Sequence, residues 1–208
     1  MTNETKQVKL HSRGSAKRLA RIALFTALMA VCAQISIPLP GGVPITLQTL
    51  AVMLASIALG FDGVAAVAVY VFLGLIGVPV FSKFGATASL VSPTGGYIVG
   101  FLPMSALMAT IIKTFEKRNE NSLKPAEKRG GARRYFLVFA IASLLGTIVC
   151  YTFGSAWFIG LFALKGAEKS IGYVLSVCVV PFILPDLLKI ALASYLGAVM
   201  RKTVRKNA

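Results

Sequence analysis

The chain has 208 residues, of which 56% are hydrophobic and only 14% charged. A soluble globular domain carries about 25% charged residues, so the composition excludes an ordinary soluble fold and places most of the chain in lipid. The formal charge of +15 does not point to nucleic acid, because the basic residues flank apolar runs and no folded soluble face presents them; they suit the anionic inner leaflet of a bilayer.

In chain order, residues 1–18 are a basic tail that contains His11, a solvated residue with no other metal-ligand type beside it. The first apolar run, Leu19 to Leu39, ends at Pro38-Leu39-Pro40-Gly41-Gly42, where prolines and glycines break a helix. Its basic start resembles a signal peptide ahead of Cys32. However, Val31 stands where lipoprotein processing requires a small residue, and further spans follow, so a retained helix is expected. A second span runs from Val43 to Gly60, and Phe61-Asp62-Gly63 reads as the turn into a third, Val64 to Val80. The connection Phe81 to Thr94 contains Lys83, Gly85 and Pro93 and leads into a fourth span, Gly95 to Phe115. Residues 116–134 form a basic loop, a fifth span begins near Tyr135, and a sixth ends at Met200 before the basic tail 201–208.

Each run must satisfy its own backbone in lipid and is therefore helical. The expectation is an all-α membrane protein, a six-transmembrane-helix bundle forming one membrane domain over residues 19–200. With six spans, the N-terminus, the 61–63 turn, the 116–134 loop and the C-terminus share one side. That side carries eighteen of the 22 lysines and arginines, against Lys83, Lys165 and Lys169 on the other. The positive-inside rule then puts both termini in the cytoplasm and the protein in the plasma membrane.

Catalytic signatures are missing. The chain has no phosphate loop, no Gly-x-Ser-x-Gly elbow and no His-Glu-x-x-His, so neither an enzyme nor an ATPase is expected, and no cofactor is implied. Cys32, Cys150 and Cys178 lie far apart in apolar stretches without metal-ligand spacing, which reads as packing and not as a metal site.

The chemistry that remains is a pair of opposite charges, Asp186 and Lys189, inside the last apolar stretch. A charge at the centre of a bilayer costs at least about 2.5 to 3.5 kcal/mol. Counted back from Arg201 at about 1.5 Å per residue, Asp186 lies about 22 Å and Lys189 about 18 Å up a hydrocarbon core of about 30 Å, in its outer half. Residues 171–200 would span about 45 Å as one helix, and Pro181 and Pro185 interrupt them. The final helix is expected to start near Pro185 with Asp186 in its first turn, where the dipole favours a carboxylate. Residues three apart share a helix face. The pair is either a structural salt bridge or a site for a ligand with hydrogen-bond donors and an anion.

Two further regions converge on the same side. Gln48 puts an amide near the outer end of the second span, as a helix-to-helix link or a ligand contact. Val91-Ser92-Pro93-Thr94-Gly95-Gly96-Tyr97 runs into the fourth span. There Gly96 and Gly100 form a small-x-x-x-small pair for close helix packing, or permit approach of a ligand that Tyr97 caps.

Four ordered segments, Val43-Pro44-Ile45-Thr46-Leu47-Gln48-Thr49-Leu50, Gly77-Val78-Pro79-Val80-Phe81, Ser92-Pro93-Thr94-Gly95-Gly96-Tyr97 and Pro185-Asp186-Leu187-Leu188-Lys189, resemble the signature segments of the BioY family. These are the biotin-binding substrate-capture (S) subunits of energy-coupling factor (ECF) transporters. The resemblance covers about residues 16–200. It implies a six-helix protein that binds biotin from the external side and joins a transmembrane coupling protein and two cytoplasmic ATPases. Family binding roles carry over to Asp186 and Lys189, and then to Gln48, Tyr97, Thr94, Gly95, Gly96 and the Phe81 to Thr94 loop. Two departures stand out: Ser82-Lys83-Phe84-Gly85-Ala86-Thr87 is less glycine-rich than the family pattern, and Pro185 stands where many members have glycine. The family's first helix offers small residues to the coupling protein. Here Ala16, Ala20, Ala23, Ala27 and Ala30 recur at spacings of three and four, on one face, for that contact or for packing within the chain. The alternatives are an S subunit for another vitamin such as thiamine or riboflavin, a stand-alone proton-coupled transporter using Asp186, and a membrane scaffold that binds no ligand.

Overall fold

A computed structural model describes the backbone of residues 3–122, 131–167 and 169–206 and the side chains of most of them. The side chain of His11 and residues 123–130 of the polar loop lie outside the described residues. The helices are α1 (Asn3–Gln34), α2 (Gln48–Leu59), α3 (Phe61–Leu75), α4 (Thr87–Leu90), α5 (Gly95–Ser122), α6 (Gly131–Leu164), α7 (Ile171–Cys178) and α8 (Val180–Lys206). A 3-10 turn covers Ser82–Phe84, and two short strands, β1 (Ser36–Ile37) and β2 (Ile45–Thr46), complete the described elements.

Gly95–Asn119, Ala132–Leu164 and Ile171–Arg201 are long and apolar enough to cross a membrane, while α2 and α3 are apolar but shorter. Both faces of these helices are apolar. In α6, Phe139, Ala142, Cys150 and Phe158 are buried, whereas Leu137, Ile141, Leu144, Ile148 and Phe153 face outward. An outward apolar belt of this extent marks a membrane surface. α5 packs along α6, α6 along α8, and α2 against α3 and α8.

Several span boundaries differ from expectation, each for a local reason. The first helix stops at Gln34, short of Leu39, because Ser36 pairs with Thr46 and Ile37 with Ile45 in an antiparallel ribbon. Gly41 (φ +100°) and Gly42 (φ +82°) reverse the chain in a region that L side chains rarely enter. The Leu47 N–H donates to the Ile35 carbonyl at 3.3 Å, so the second helix begins only at Gln48. The all-α expectation misses this ribbon.

Phe61-Asp62-Gly63 is not the turn. Gly60 (φ +60°) makes it, and Asp62 falls in the first turn of α3, where the helix dipole favours a carboxylate and Arg18 Nη2 meets it at 2.6 Å. α3 ends at Leu75 rather than Val80. Helix also extends into the polar loop from both sides, through Ser122 and from Gly131.

The last helix starts at Val180, not near Pro185. Val179 (φ −126°, ψ −56°) separates it from α7, and Pro181 takes the first-turn place where a missing N–H is harmless. Pro185 lies inside the helix, where it gives up the bond to the carbonyl four residues back and its ring crowds that carbonyl. Asp186 therefore sits in the second turn, out of reach of the argument from the helix dipole.

Candidate substrate-binding site

A cavity of about 200 Å³ opens between the two halves of the bundle. Asp186 and Lys189 of α8 line it, together with Tyr151 of α6, Tyr97 of α5, and Thr46, Gln48 and Thr49 around the start of α2. Lys83 and Thr94 of the connection between α3 and α5 also line it.

Asp186 and Lys189 are 3% and 7% exposed and form an ion pair, Nζ to Oδ1 at 2.7 Å. The three-residue spacing on one helix brings them together. The Tyr151 hydroxyl donates to Asp186 Oδ2 at 2.7 Å. The Thr49 hydroxyl donates to Asp186 Oδ1 at 3.3 Å and accepts from Lys189 Nζ at 3.1 Å. The carboxylate thus has three donors and the ammonium two acceptors. A third ammonium hydrogen and the remaining carboxylate lone pairs are available to a ligand. Burial without partners would be costly for either charge; here the pair is compensated and hydrogen-bonded.

Gln48 lines the cavity with its amide already engaged. Its Nε2 donates to the Tyr70 hydroxyl, which donates in turn to the Val80 carbonyl at 3.1 Å. Its Oε1 accepts from the Thr46 hydroxyl at 3.0 Å. The residue ties α2 to α3 and to the connection that follows α3. Tyr97 presents its ring to the cavity and stacks on Phe182 at 6.3 Å. Its hydroxyl donates to the Cys178 carbonyl at 2.6 Å, at the end of α7, where a carbonyl lacks a helical partner. Thr94 shares a 2.7 Å hydrogen bond with Ser92 and donates to the Ser89 carbonyl.

Gly95 and Gly96 lie elsewhere, Gly96 on the seam between α5 and α6 and Gly95 against the end of α4. A Cβ on Gly96 would fall 2.7 Å from the Phe153 carbonyl oxygen, and one on Gly95 3.0 Å from Trp157 Nε1. Gly96 allows α6 to approach, Gly95 allows the Leu90 carbonyl to approach, and neither lines the cavity. On α1, Ala16, Ala20, Ala23 and Ala27 are exposed, while Ala30 is half-buried against the core. Cys150 and Cys178 are buried, Cys32 is half-buried, and all three are free thiols. No cluster of metal-ligating side chains occurs among the described residues.

Two polar groups of the cluster escaped the sequence reading. Tyr151 sits in a long apolar run, and a buried tyrosine hydroxyl needs a partner; Asp186 was the one acid available at that depth. Thr49 adjoins Gln48 and differs from it by facing α8.

The sequence profile of the BioY family matches residues 2–206. A protein named biotin transporter BioY from Thermotoga maritima is 36% identical over 188 residues, covering 89% of this chain and 96% of the relative. A probable biotin transporter BioY from Pyrococcus horikoshii is 37% identical over 180 residues, covering 86% and 92%. Among solved structures, the S-component for biotin from an ECF-type ABC transporter superposes with a TM-score of 0.72 at 25% identity, covering 97% of this chain and 95% of that one. Profile, relatives and fold agree over nearly the whole length, and the chain belongs to the BioY family.

Proposed function

We propose that this membrane protein is a transporter subunit that captures biotin from outside the cell. The observation that carries the reading is the buried, charge-neutral cluster of Asp186, Lys189, Tyr151 and Thr49 in a mainly apolar cavity. Biotin's fused rings suit apolar walls, and its ureido group offers N–H donors for the carboxylate and a carbonyl for a donor. The names of the relatives support the ligand.

In the bilayer the chain makes six crossings: α1, α2, α3, α5, α6, and α7 with α8 together. Both termini are cytoplasmic by the charge asymmetry. α2 and α3, at 12 and 15 residues, are shorter than a full span, and the non-helical segments beside them complete the crossing.

Trp157 is the sole tryptophan, and its indole donates to the Ser92 carbonyl at 3.1 Å, in the connection that walls the cavity. Its fluorescence, or calorimetry, in a titration of the purified protein with biotin, thiamine and riboflavin is the direct test. Biotin should bind at micromolar concentration or below and the other two should not. Asp186→Asn should weaken biotin binding by more than about tenfold, because it removes a charged acceptor. A protein silent to biotin sinks the reading.

Uptake needs energy from elsewhere, and the subunit hands biotin to a transmembrane coupling protein driven by two cytoplasmic ATPases. The exposed alanines 16, 20, 23 and 27 on α1 supply the contact, since small residues let helices approach closely. Ala20→Leu with Ala23→Leu should reduce co-purification with the ATPases while leaving biotin affinity unchanged. Undiminished co-purification moves the contact to another face.

A further inference from the structure

We infer that Lys83, at the rim of the cavity, receives the ligand's carboxylate, while the Asp186–Lys189 pair serves the ureido end. The assignment rests on the biotin reading above and deepens it.

Lys189 is poorly placed to hold an anion. Its ammonium already neutralises Asp186 at 2.7 Å, and a second carboxylate there would lie beside the first in a buried site. Like charges at that range repel strongly once water is excluded. The buried cluster is neutral without a ligand and would become net negative with the ligand's acid inside it. An additional cation at the mouth restores the balance.

Lys83 has the features of that cation. It lines the same cavity, is exposed, and takes part in none of the ion pairs seen among the described residues. Its backbone (φ 57°, ψ 38°) is the one left-handed non-glycine conformation among those residues. Glycine or asparagine would occupy such a position with less strain, and strained residues collect at ligand clamps. The turn is pinned on both sides: Phe81 N–H donates to the Gly85 carbonyl at 2.9 Å, and Gln34 Nε2 donates to the Phe81 carbonyl at 3.0 Å. The lysine is therefore held at the mouth by a fixed loop. Of the other two lysines expected on this side, Lys169 lies over the rings of Phe162 and Tyr173, and neither it nor Lys165 reaches the cavity.

The test compares biotin with biotinamide, its neutral amide, by calorimetry on the wild-type protein and on Lys83→Asn, Lys83→Arg and Lys189→Ala. Asparagine tolerates the left-handed backbone, so Lys83→Asn removes the charge and spares the turn. Wild-type protein should prefer biotin over biotinamide by about twofold to fivefold, in the range of one partly exposed charge pair. Lys83→Asn should erase that preference by weakening biotin alone, and Lys83→Arg should keep it. Equal weakening of both ligands by Lys83→Asn, or no weakening, overturns the assignment. So does a preference that survives in Lys83→Asn and vanishes in Lys189→Ala. A wild-type protein that binds biotin and biotinamide equally overturns the carboxylate contact alone; one that binds neither removes the biotin reading and this assignment with it.

Discussion

The two halves of the bundle that face each other across the cavity are built in different ways. α5, α6 and α8 are long continuous helices, and they bring the ionic and phenolic groups of Asp186, Lys189, Tyr151 and Tyr97. On the other side, α2 and α3 are short, and the chain leaves the helix between Gln34 and Gln48 and again between Leu75 and Gly95. Those breaks bring the hydroxyl of Thr49, the amide of Gln48 and the pinned turn at Lys83. Within a membrane, irregular backbone is tolerated only where protein buries it or where it lines a cavity. The contrast teaches that the buried charges stand on long helices while the breaks in helix mark where the pocket lies.

The sharpest way to break this contrast is to unbalance the long-helix wall. Lys189→Met leaves Asp186 buried without its cation, which should cost about 3 to 5 kcal/mol of stability, as for other broken buried pairs. Thermal unfolding in detergent would read this as a large drop in midpoint. Adding Asp186→Leu to Lys189→Met removes the orphaned charge and should restore most of the stability without restoring biotin binding. If Lys189→Met melts like the wild type, the pair does not work as a buried ion pair. If the double variant still binds biotin, the pair is not part of the site.

The long helices were the legible half. The start of α5 at Gly95 and the placing of Asp186 and Lys189 on one face could be read from hydropathy and spacing, because an apolar run longer than a span has few other solutions. The broken half was overread as helix. Val43 to Leu47 and Ile76 to Val80 are as apolar as the helices they adjoin, and apolar content alone does not distinguish a non-helical segment from helix. Pro38, Pro40 and Pro79 were the available signals, with Gly41, Gly42 and Gly77. The same overreading put the final helix at Pro185, since two prolines four apart left open which of them opened it. Among the candidate site residues, sequence could not tell the cavity-lining Tyr97 and Thr94 from Gly95 and Gly96 beside them, because all four share one turn of chain. Gly96→Val separates them. Added carbons would press on the Phe153 carbonyl oxygen at 2.7 Å, and the overpacking should cost about 1 to 3 kcal/mol. The loss should appear in the melting midpoint, with biotin affinity nearly unchanged in the protein that remains folded.

The smallest expected effect tests the broken half on its own ground. Tyr70 is fully buried on α3, and its hydroxyl joins the Gln48 amide to the Val80 carbonyl. Its ring meets Phe81 edge-on at 5.3 Å, just before the turn that carries Lys83. Tyr70→Phe keeps the ring and removes only the bridge, so a donor on α2 and the Val80 carbonyl beyond the end of α3 both lose their partner. Unsatisfied buried groups of this kind cost about 1 to 2 kcal/mol, less than the loss of an ionic partner. Because the bridge positions the connection and does not touch the Asp186 cluster, the loss should be local. Hydrogen exchange should rise at Val80 to Gly85 and stay unchanged along α8. Protection lost equally in both places would mean that the two halves open as one unit, and the connection could not then serve as a separately tuned wall of the pocket.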